Sequence, residues 1–228
     1  MIKAYAEHVN FNKETGYKLI TILLCLSYSF KLPFGILCFL FFFTFLGGRL
    51  LIANHAFNNL DPLSDWPIEE TYRGISNYNN NQMGISMNAL KELRKYLSFT
   101  QLRFHCSKQQ GRTFHVTTVA NSSGEAVVQY FSGQTAIFPK SCGSFVRMDD
   151  DNSLLAAQCH RWRFENGAIY VGKWGSAPNH VLYDHACFVA NTAHWIVGVN
   201  GRWECDDYDR FEVPAKVSAN DFWRIYVR

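Results

Sequence analysis

A nearly continuous apolar block, LITILLCLSYSFKLPFGILCFLFFFTFLGG, occupies residues 19–48 and constrains this chain more than any other feature. A helix that crosses a membrane needs roughly 20 apolar residues, because about 30 Å of hydrocarbon is crossed at about 1.5 Å per residue. The stretch from Leu32 to Gly48 is uncharged, and Leu50, Leu51 and Ile52 extend it past Arg49. We therefore predict a signal-anchor transmembrane helix within residues 19–52.

Two other interpretations of the apolar block stay open. The first is a cleaved signal peptide, whose apolar core would be the stretch from Leu19 to Tyr28 after Lys13 and Lys18. The second is a helical hairpin of two short segments, or an N-terminus that the gene model joins wrongly to the rest of the chain. A buried helix of a soluble core is disfavoured, because such helices carry a polar face.

Basic residues set the expected orientation of the predicted span. Lys3, Lys13, Lys18 and Lys31 lie on the N-terminal side of the uncharged stretch that begins at Leu32, and the first charges after Arg49 are acidic. The positive-inside rule then places the N-terminus in the cytoplasm and the rest of the chain outside the cell. We expect a single-pass membrane protein, with a secreted protein as the alternative. The expected regions are a cytoplasmic segment (1–18), the transmembrane segment (19–52), a juxtamembrane loop (53–85) and an extracellular domain (86–228).

Five of the seven cysteines follow the apolar block, namely Cys106, Cys142, Cys159, Cys187 and Cys205. In an oxidising compartment they are expected to form two disulfides and to leave one thiol, with the pairing open. The odd cysteine is then buried and free, cross-links two chains, or has lost its partner. Asn121-Ser122-Ser123 is an N-glycosylation sequon in a predicted turn.

Local patterns after the block predict one helix and several antiparallel strands. Met87, Leu90, Leu93 and Leu97 recur at helical spacing after Ser86, a favourable N-cap, which predicts a helix from Ser86 to Leu97. Strands are predicted at Leu102–Cys106, Thr113–Ala120 and Phe222–Val227. Three hairpins are expected around Asn121–Gly124, Asn166-Gly167 and Asn200-Gly201, because Asn-Gly favours the two-residue turn. The fold class is therefore predicted as α+β, mainly antiparallel β.

Several segments resemble the C-terminal module of fibrinogen-like proteins of the coral and anemone skeletal organic matrix, namely TYRGISNYNNNQM, LRKYLSFTQLRFHCSKQQGRTFHVTT, NSSGEAVVQYFSGQT, CGSFVRMDDDNS, RWECDD and DFWRIYVR. The resemblance spans Thr71 to Arg228. It implies an extracellular, disulfide-bonded recognition module related to the fibrinogen C-terminal domain. The Cys-bearing subdomain with which such domains usually open, ending in a Gly-Gly-Gly-Trp-like strand, is missing here.

The sharpest candidate site is the acidic run from Asp149 to Asn152. Calcium takes six to eight oxygen ligands, which carboxylates and amides supply. Fibrinogen-like domains carry a similar calcium loop, so the resemblance implies Asp149, Asp151 and Asn152 as calcium ligands. A solvated acidic turn is the competing interpretation.

Other chemistry-bearing side chains form weaker candidates. They are a second acidic cluster (Asp206, Asp207, Asp209), four histidines (His160, His180, His185, His194) and six aromatic residues that either line a sugar-binding surface or fill the core (Trp162, Tyr170, Trp174, Trp195, Trp203, Trp223). A zinc site among the histidines matches no common spacing. A Cys-His nucleophile needs a free, activated thiol, which disulfide formation removes.

We therefore predict a membrane-anchored extracellular recognition or adhesion module that binds a matrix protein or a carbohydrate, with calcium as a candidate cofactor. The alternative is a secreted structural component of an extracellular matrix with no small ligand. No enzyme is expected, because no catalytic motif is present. Nucleic acid is not an expected partner, because the 22 basic and 19 acidic residues nearly balance and no basic run occurs.

Overall fold

A six-stranded antiparallel sheet organises the chain in the computed structural model, which describes residues 48–57, 68–77, 81–165, 168–175, 182–199, 201–207 and 217–228. Its strands are β1 (Leu50–Ala56), β2 (Gln82–Gly84), β3 (Leu102–Ser107), β4 (Thr113–Thr118), β5 (Phe145–Arg147) and β11 (Phe222–Val227). Their order across the sheet is β2-β1-β11-β3-β4-β5, so the last strand of the chain lies between β1 and β3.

Two smaller antiparallel sheets and three helices complete the described elements. The two-stranded sheet consists of β6 (Phe164–Glu165) and β7 (Ala168–Ile169). The three-stranded sheet consists of β8 (Asp184–Val189), β9 (Ala193–Val199) and β10 (Arg202–Asp207). The helices are α1 (Met87–Leu97), α2 (Ser122–Phe131) and α3 (Leu154–Ala157), and 3-10 turns occupy Tyr72–Asn77 and Cys159–Arg161.

Several predicted elements are confirmed. Ser86 caps α1, because its side chain accepts a hydrogen bond from the Ala89 N–H, and Leu90 and Leu93 are buried as the helical spacing requires. The two Asn-Gly hairpins are present as the antiparallel pairs β6–β7 and β9–β10. Gly201 has a φ of +71°, the left-handed conformation that this kind of turn needs. Residues 166, 167 and 200 lie outside the described residues.

The predicted fold class is wrong in its membrane-spanning helix. Among the described residues, no helix is long and apolar enough to cross a membrane. Leu50, Leu51 and Ile52, expected to extend the span, belong to β1, which pairs with β11 along its length. The rest of the predicted span, residues 19–47, lies outside the described residues. The antiparallel β part of the prediction agrees with the structure.

Two further local predictions are wrong. The predicted hairpin around Asn121–Gly124 is instead the start of α2, where the Asn121 side chain accepts hydrogen bonds from the Ser123 and Gly124 N–H groups. The segment expected to be mostly loop, 53–85, contributes the end of β1, a 3-10 turn and β2. In both places tertiary pairing or packing decides the conformation, and local sequence propensity does not.

Aromatic side chains fill the core on one face of the six-stranded sheet. Alternate residues of β3 and β11 point into it, among them Phe104, Trp223 and Ile225. The disulfide Cys106–Cys205 joins β3 to β10, and Cys142–Cys159 closes a shorter loop. The opposite face of the same strands carries the polar residues.

Candidate ligand-binding face

The outward face of the six-stranded sheet, here called the polar face, is built by cross-strand pairing. In one row Arg224 of β11 lies opposite His105 of β3, and His105 lies opposite His115 of β4. In the next row Tyr226, Arg103 and Thr117 lie side by side in the same order. Because side chains alternate along a strand, Arg49 and Arg228, which flank the ends of β1 and β11, continue this face.

The arginines of the polar face are held by neutral partners. Arg49 donates a hydrogen bond to Thr117 Oγ1 (3.3 Å), Arg103 to His115 Nε2 (2.6 Å) and Arg224 to Asn54 Oδ1 (3.0 Å). Among the described residues, no carboxylate lies within ion-pair distance of these three guanidinium groups. Aromatic rings support two of them, Tyr226 under Arg103 and Phe222 under Arg224.

Like charges accumulate at one end of this face. Partial burial lowers the pKa of Arg49, and the positive charges of Arg103 and Arg228 lower it further. Cations that lie close together without a carboxylate between them repel one another, and this repulsion destabilises the fold. A bound anion would reduce the repulsion. We call Arg49, Arg103 and Arg228 the arginine cluster.

A second group of chemistry-bearing side chains lies beside the arginine cluster. The rings of His105 and His115 are stacked, with centroids 3.6 Å apart and planes 4° from parallel. Asp150, from the turn after β5, reaches both: its Oδ1 lies 2.5 Å from His115 Nδ1 and its Oδ2 lies 3.6 Å from His105 Nε2. The three side chains thus place one nitrogen or oxygen each within 4.8 Å of one another.

Burial keeps both imidazole rings neutral. It lowers the pKa of His105 to about 3, and the nearby His115 adds to the effect. Burial also lowers the pKa of His115, against a hydrogen bond with Asp150 that raises it. Burial acts to raise the pKa of Asp150, but the pKa is lowered overall, chiefly by the hydrogen bond with His115. The group therefore presents two neutral rings and one carboxylate.

The predicted calcium ligands have other partners. The Asp151 side chain is buried and accepts hydrogen bonds from the His115 N–H (2.6 Å), Arg147 Nε (2.8 Å) and the Ser153 hydroxyl. Asn152 Oδ1 accepts a hydrogen bond from the Thr113 N–H at 2.7 Å. Asp149 is exposed. The oxygens of Asp151 and Asn152 therefore already bind donors of the protein, and the calcium assignment stays a prediction.

The second acidic cluster is also structural in the residues that the structure describes. The buried carboxylate of Asp206 accepts hydrogen bonds from the N–H groups of Leu154 and Leu155 at the start of α3, and it pairs with Arg112. Asp207 pairs with Lys108 at 2.6 Å. Residue Asp209 lies outside the described part of the chain. These carboxylates anchor α3 and the β3–β4 loop to β10.

The cysteines and the second-half histidines form no reactive pair within the described residues. Cys187 is free and fully buried, and burial raises the pKa of its thiol well above the ordinary value. His160 is exposed, and His185 contacts Asp184 at 2.5 Å and lies with its ring 5.3 Å from that of His194. His180 lies outside the described residues. A buried neutral thiol is a poor nucleophile.

The candidate aromatic sugar surface is not formed by tryptophans. Five of the six candidate residues are fully buried and belong to the core, namely Trp162, Trp174, Trp195, Trp203 and Trp223. Tyr170 is 41% exposed and lies under the guanidinium of Arg161. One aromatic residue of the set is therefore accessible.

Another basic region lies at the end of α1. A pocket of about 430 Å³ is lined by Lys91, Arg94, Lys95, Ser98 and Gln134. Arg94 is already paired with Glu125 at 2.5 Å, whereas Lys91 and Lys95 are exposed. Cations in the last turn of a helix also interact favourably with the negative end of the helix dipole. The positive charges of this pocket therefore stabilise α1, whereas the arginine cluster lies at no helix end among the described residues.

Sequence reasoning missed the residues that the polar face brings together. Both strands that carry His105 and His115 were predicted, but not their pairing in one hairpin, which sets the two rings opposite each other. The available signal was the alternation in Leu102–Ser107 and Thr113–Thr118, which puts Arg103, His105 and His115 on outward positions. Asp150 lay inside the predicted calcium run but was not among its proposed ligands.

No protein-family model, curated protein or solved structure matches this chain. The resemblance to fibrinogen-like proteins therefore stays a prediction.

Proposed function

We propose that this chain is a recognition module of an oxidising, extracytoplasmic compartment and that it binds an anionic carbohydrate or an acidic matrix protein through its polar face. The observation that carries the proposal is the arginine cluster: among the described residues, Arg49, Arg103 and Arg228 form no ion pair with a carboxylate side chain. The resemblance to fibrinogen-like matrix proteins points to the same class of function.

The chemistry of arginine suits this role. A guanidinium group presents its donors in a planar fork that matches sulfate and carboxylate oxygens, and such charge-assisted hydrogen bonds are stronger than neutral ones. Within the described residues Arg49 and Arg103 each donate one side-chain hydrogen bond, to a neutral acceptor, whereas a guanidinium group carries five N–H donors. Tyr226 adds an aromatic face beside Arg103. An anionic polysaccharide offers both groups that this surface accommodates, charged oxygens and apolar ring faces.

The cysteines support the proposed compartment. The two disulfides each join segments that are distant in sequence, 99 residues apart for Cys106–Cys205 and 17 for Cys142–Cys159. Disulfides of this kind persist in secreted and cell-surface proteins and are rare in reducing compartments.

The purely structural alternative receives less support from the structure. A cross-linked matrix component would use the odd cysteine to join two chains, but Cys187 is fully buried and has no access to a second chain. The cysteines Cys25 and Cys38 lie outside the described residues. A monomer on non-reducing gels is therefore the expected result if Cys187 is the relevant thiol.

The proposal is tested by the class of ligand that the full chain retains. Immobilised sulfated, uronic-acid and neutral polysaccharides are compared at low and high salt, with a chelator present throughout. We expect binding to the anionic polysaccharides, weakening with salt, and a lower affinity for the Arg103→Gln variant than for a matched Lys91→Gln variant. Equal binding to neutral polysaccharides, or binding that resists salt and the Arg103 substitution, would contradict the proposal.

A further inference from the structure

We infer that His105, His115 and Asp150 form a binding site for a transition-metal dication such as Zn²⁺ or Cu²⁺. The inference rests on the geometry of these three side chains and does not depend on the proposed anion binding. Each residue places one ligand atom within 4.8 Å of the other two. Two imidazole nitrogens and one carboxylate are a donor set that binds zinc and copper.

The distances require a small closure of the site. Ligand atoms about 2.0–2.2 Å from a zinc ion lie roughly 3.3 Å from one another. The separation of His105 Nε2 from Asp150 Oδ2 is 3.6 Å, and the hydrogen-bonded contact between His115 Nδ1 and Asp150 Oδ1 opens when a metal replaces its proton. The Asp150 side chain is 56% exposed, so it has room to follow.

The stacked rings must also turn against each other. The nitrogen lone pairs of stacked rings lie in two parallel planes, 3.6 Å apart at the ring centroids, so they cannot meet at one metal ion unless a ring turns. His115 is fixed, because its backbone N–H is bonded to Asp151 and its side chain is buried. The His105 side chain is 16% exposed and lies edge-on to Phe222, so rotation about its Cβ–Cγ bond is the movement that closes the site.

Nitrogen ligands decide the class of metal. Calcium and magnesium prefer oxygen-only coordination, whereas imidazole binds zinc, copper and nickel. Three protein ligands leave a coordination position for water or an external ligand, as in zinc sites that are not purely structural.

Arg103 gives this site an unusual constraint. Its Nε–H donates to His115 Nε2, so the proton of the neutral His115 ring is on Nδ1, where it faces Asp150. When a metal binds His115 Nδ1, the proton of the neutral ring lies on Nε2. The Arg103 Nε–H then faces an N–H donor of His115, so the hydrogen bond between the two residues is lost. Metal-bound histidines normally donate their second N–H to an acceptor. Metal binding must therefore displace Arg103 from His115.

The test is a titration of the chelator-treated full chain with Co²⁺, read by its visible absorption, followed by displacement with Zn²⁺. We expect one equivalent of metal. His105→Gln and Asp150→Asn should each weaken affinity by about tenfold or more, since even outer partners of a metal site contribute that much. His160→Gln, which changes an exposed histidine elsewhere, should leave the affinity unchanged.

The Arg103→Gln variant makes the inference sharper. A glutamine side-chain oxygen can accept the N–H of His115 Nε2, so this substitution should tighten metal binding severalfold. Absence of stoichiometric binding overturns the inference. So does binding that is unaffected by His105→Gln and Asp150→Asn, or that weakens when Arg103 is replaced. Thermal unfolding of each variant without metal verifies that a loss of affinity is not a loss of folding.

Discussion

His55 lies in the core between aromatic rings, 4.0 Å from the ring of Trp203 and 4.6 Å from that of Phe57. Burial lowers the pKa of His55 to about 3. The unfolded chain therefore binds a proton near the ordinary histidine value, about 6.5, while the folded chain does not. The contribution of the neutral His55 ring to the free energy of unfolding is therefore fully present above about pH 6.5, and it is lost as the pH falls from about 6.5 toward 3.

We predict that His55→Phe reduces the loss of stability on acidification. Between pH 7.5 and pH 5 the unfolded chain gains a proton on His55 and the folded chain does not. At pH 5, about 1.5 units below the pKa of the unfolded state, this difference lowers the free energy of unfolding by about 2 kcal/mol. The phenylalanine variant should show a correspondingly smaller fall in the free energy of unfolding. His160→Gln is the matched control and should keep the slope of the native chain. Identical slopes for native chain and His55→Phe would show that His55 is protonated in the folded state.

Substitution of Asp151 tests whether the acidic run from Asp149 to Asn152 stabilises the fold through hydrogen bonds or binds calcium. We predict that Asp151→Asn lowers the free energy of unfolding by about 2 kcal/mol, because a buried acceptor of hydrogen bonds from His115, Arg147 and Ser153 is altered. Asp149→Asn, on an exposed neighbour, should change stability by less than about 0.5 kcal/mol. The calcium account predicts instead that EGTA lowers the melting temperature of the native chain and that both variants abolish this effect.

At the scale of elements, α2 shows why a local pattern was misread. The stretch Ala126–Phe131 contains β-branched and aromatic residues, which favour strands, and Asn-Ser-Ser-Gly resembles a hairpin turn. The helical signal was nevertheless present, since Gly124, Val127, Val128 and Phe131 are buried at helical spacing after Asn121. Gly124 also allows close approach, because an added Cβ would collide with the carbonyl oxygen of Val119.

The Asn121 side chain has two roles that substitutions can separate, the N-cap of α2 and the proposed glycan acceptor. We predict that Asn121→Ala destabilises the domain by about 1 kcal/mol relative to Asn121→Ser, because serine retains a capping oxygen. Ser123→Ala destroys the sequon but leaves the cap. All three variants should lose the glycosidase-sensitive gel shift of the native chain made in eukaryotic cells. No shift in the native chain would contradict the glycan assignment, and equal stability of the three would contradict the cap.

Elements with strong local signals were predictable, and elements defined by distant partners were not. The helix α1 and the two Asn-Gly hairpins follow from a cap, a spacing and a turn residue pair within a few positions of one another. The strand β1 has no such signal, because its apolar residues merge with the preceding block and its main partner, β11, is at the other end of the chain. Non-local pairing of this kind does not appear in a local pattern.

At the scale of the whole molecule, the polar face is assembled from distant segments. Arg49 precedes β1, Arg103 belongs to β3, His115 to β4 and Arg228 follows β11, so sheet order alone makes them neighbours. From the five cysteines after the apolar block the sequence predicted two disulfides and one remaining thiol, and the described residues contain two disulfides and the free Cys187. The sequence did not predict the polar face, because this face forms only when the strands adopt the order β1-β11-β3-β4.

The most direct test of the account compares two variants of equal charge. Arg49→Gln/Arg103→Gln removes two of the three positive charges of the arginine cluster, and Lys91→Gln/Lys95→Gln removes two positive charges from the pocket at the end of α1. Calorimetric titration of the full chain with a sulfated oligosaccharide, in the presence of a chelator, gives the affinity of each. We predict a loss of at least about tenfold for the arginine variant and a change of less than about threefold for the lysine variant. Equal losses, or a larger loss for the lysine variant, would contradict the assignment of the polar face as the ligand-binding surface.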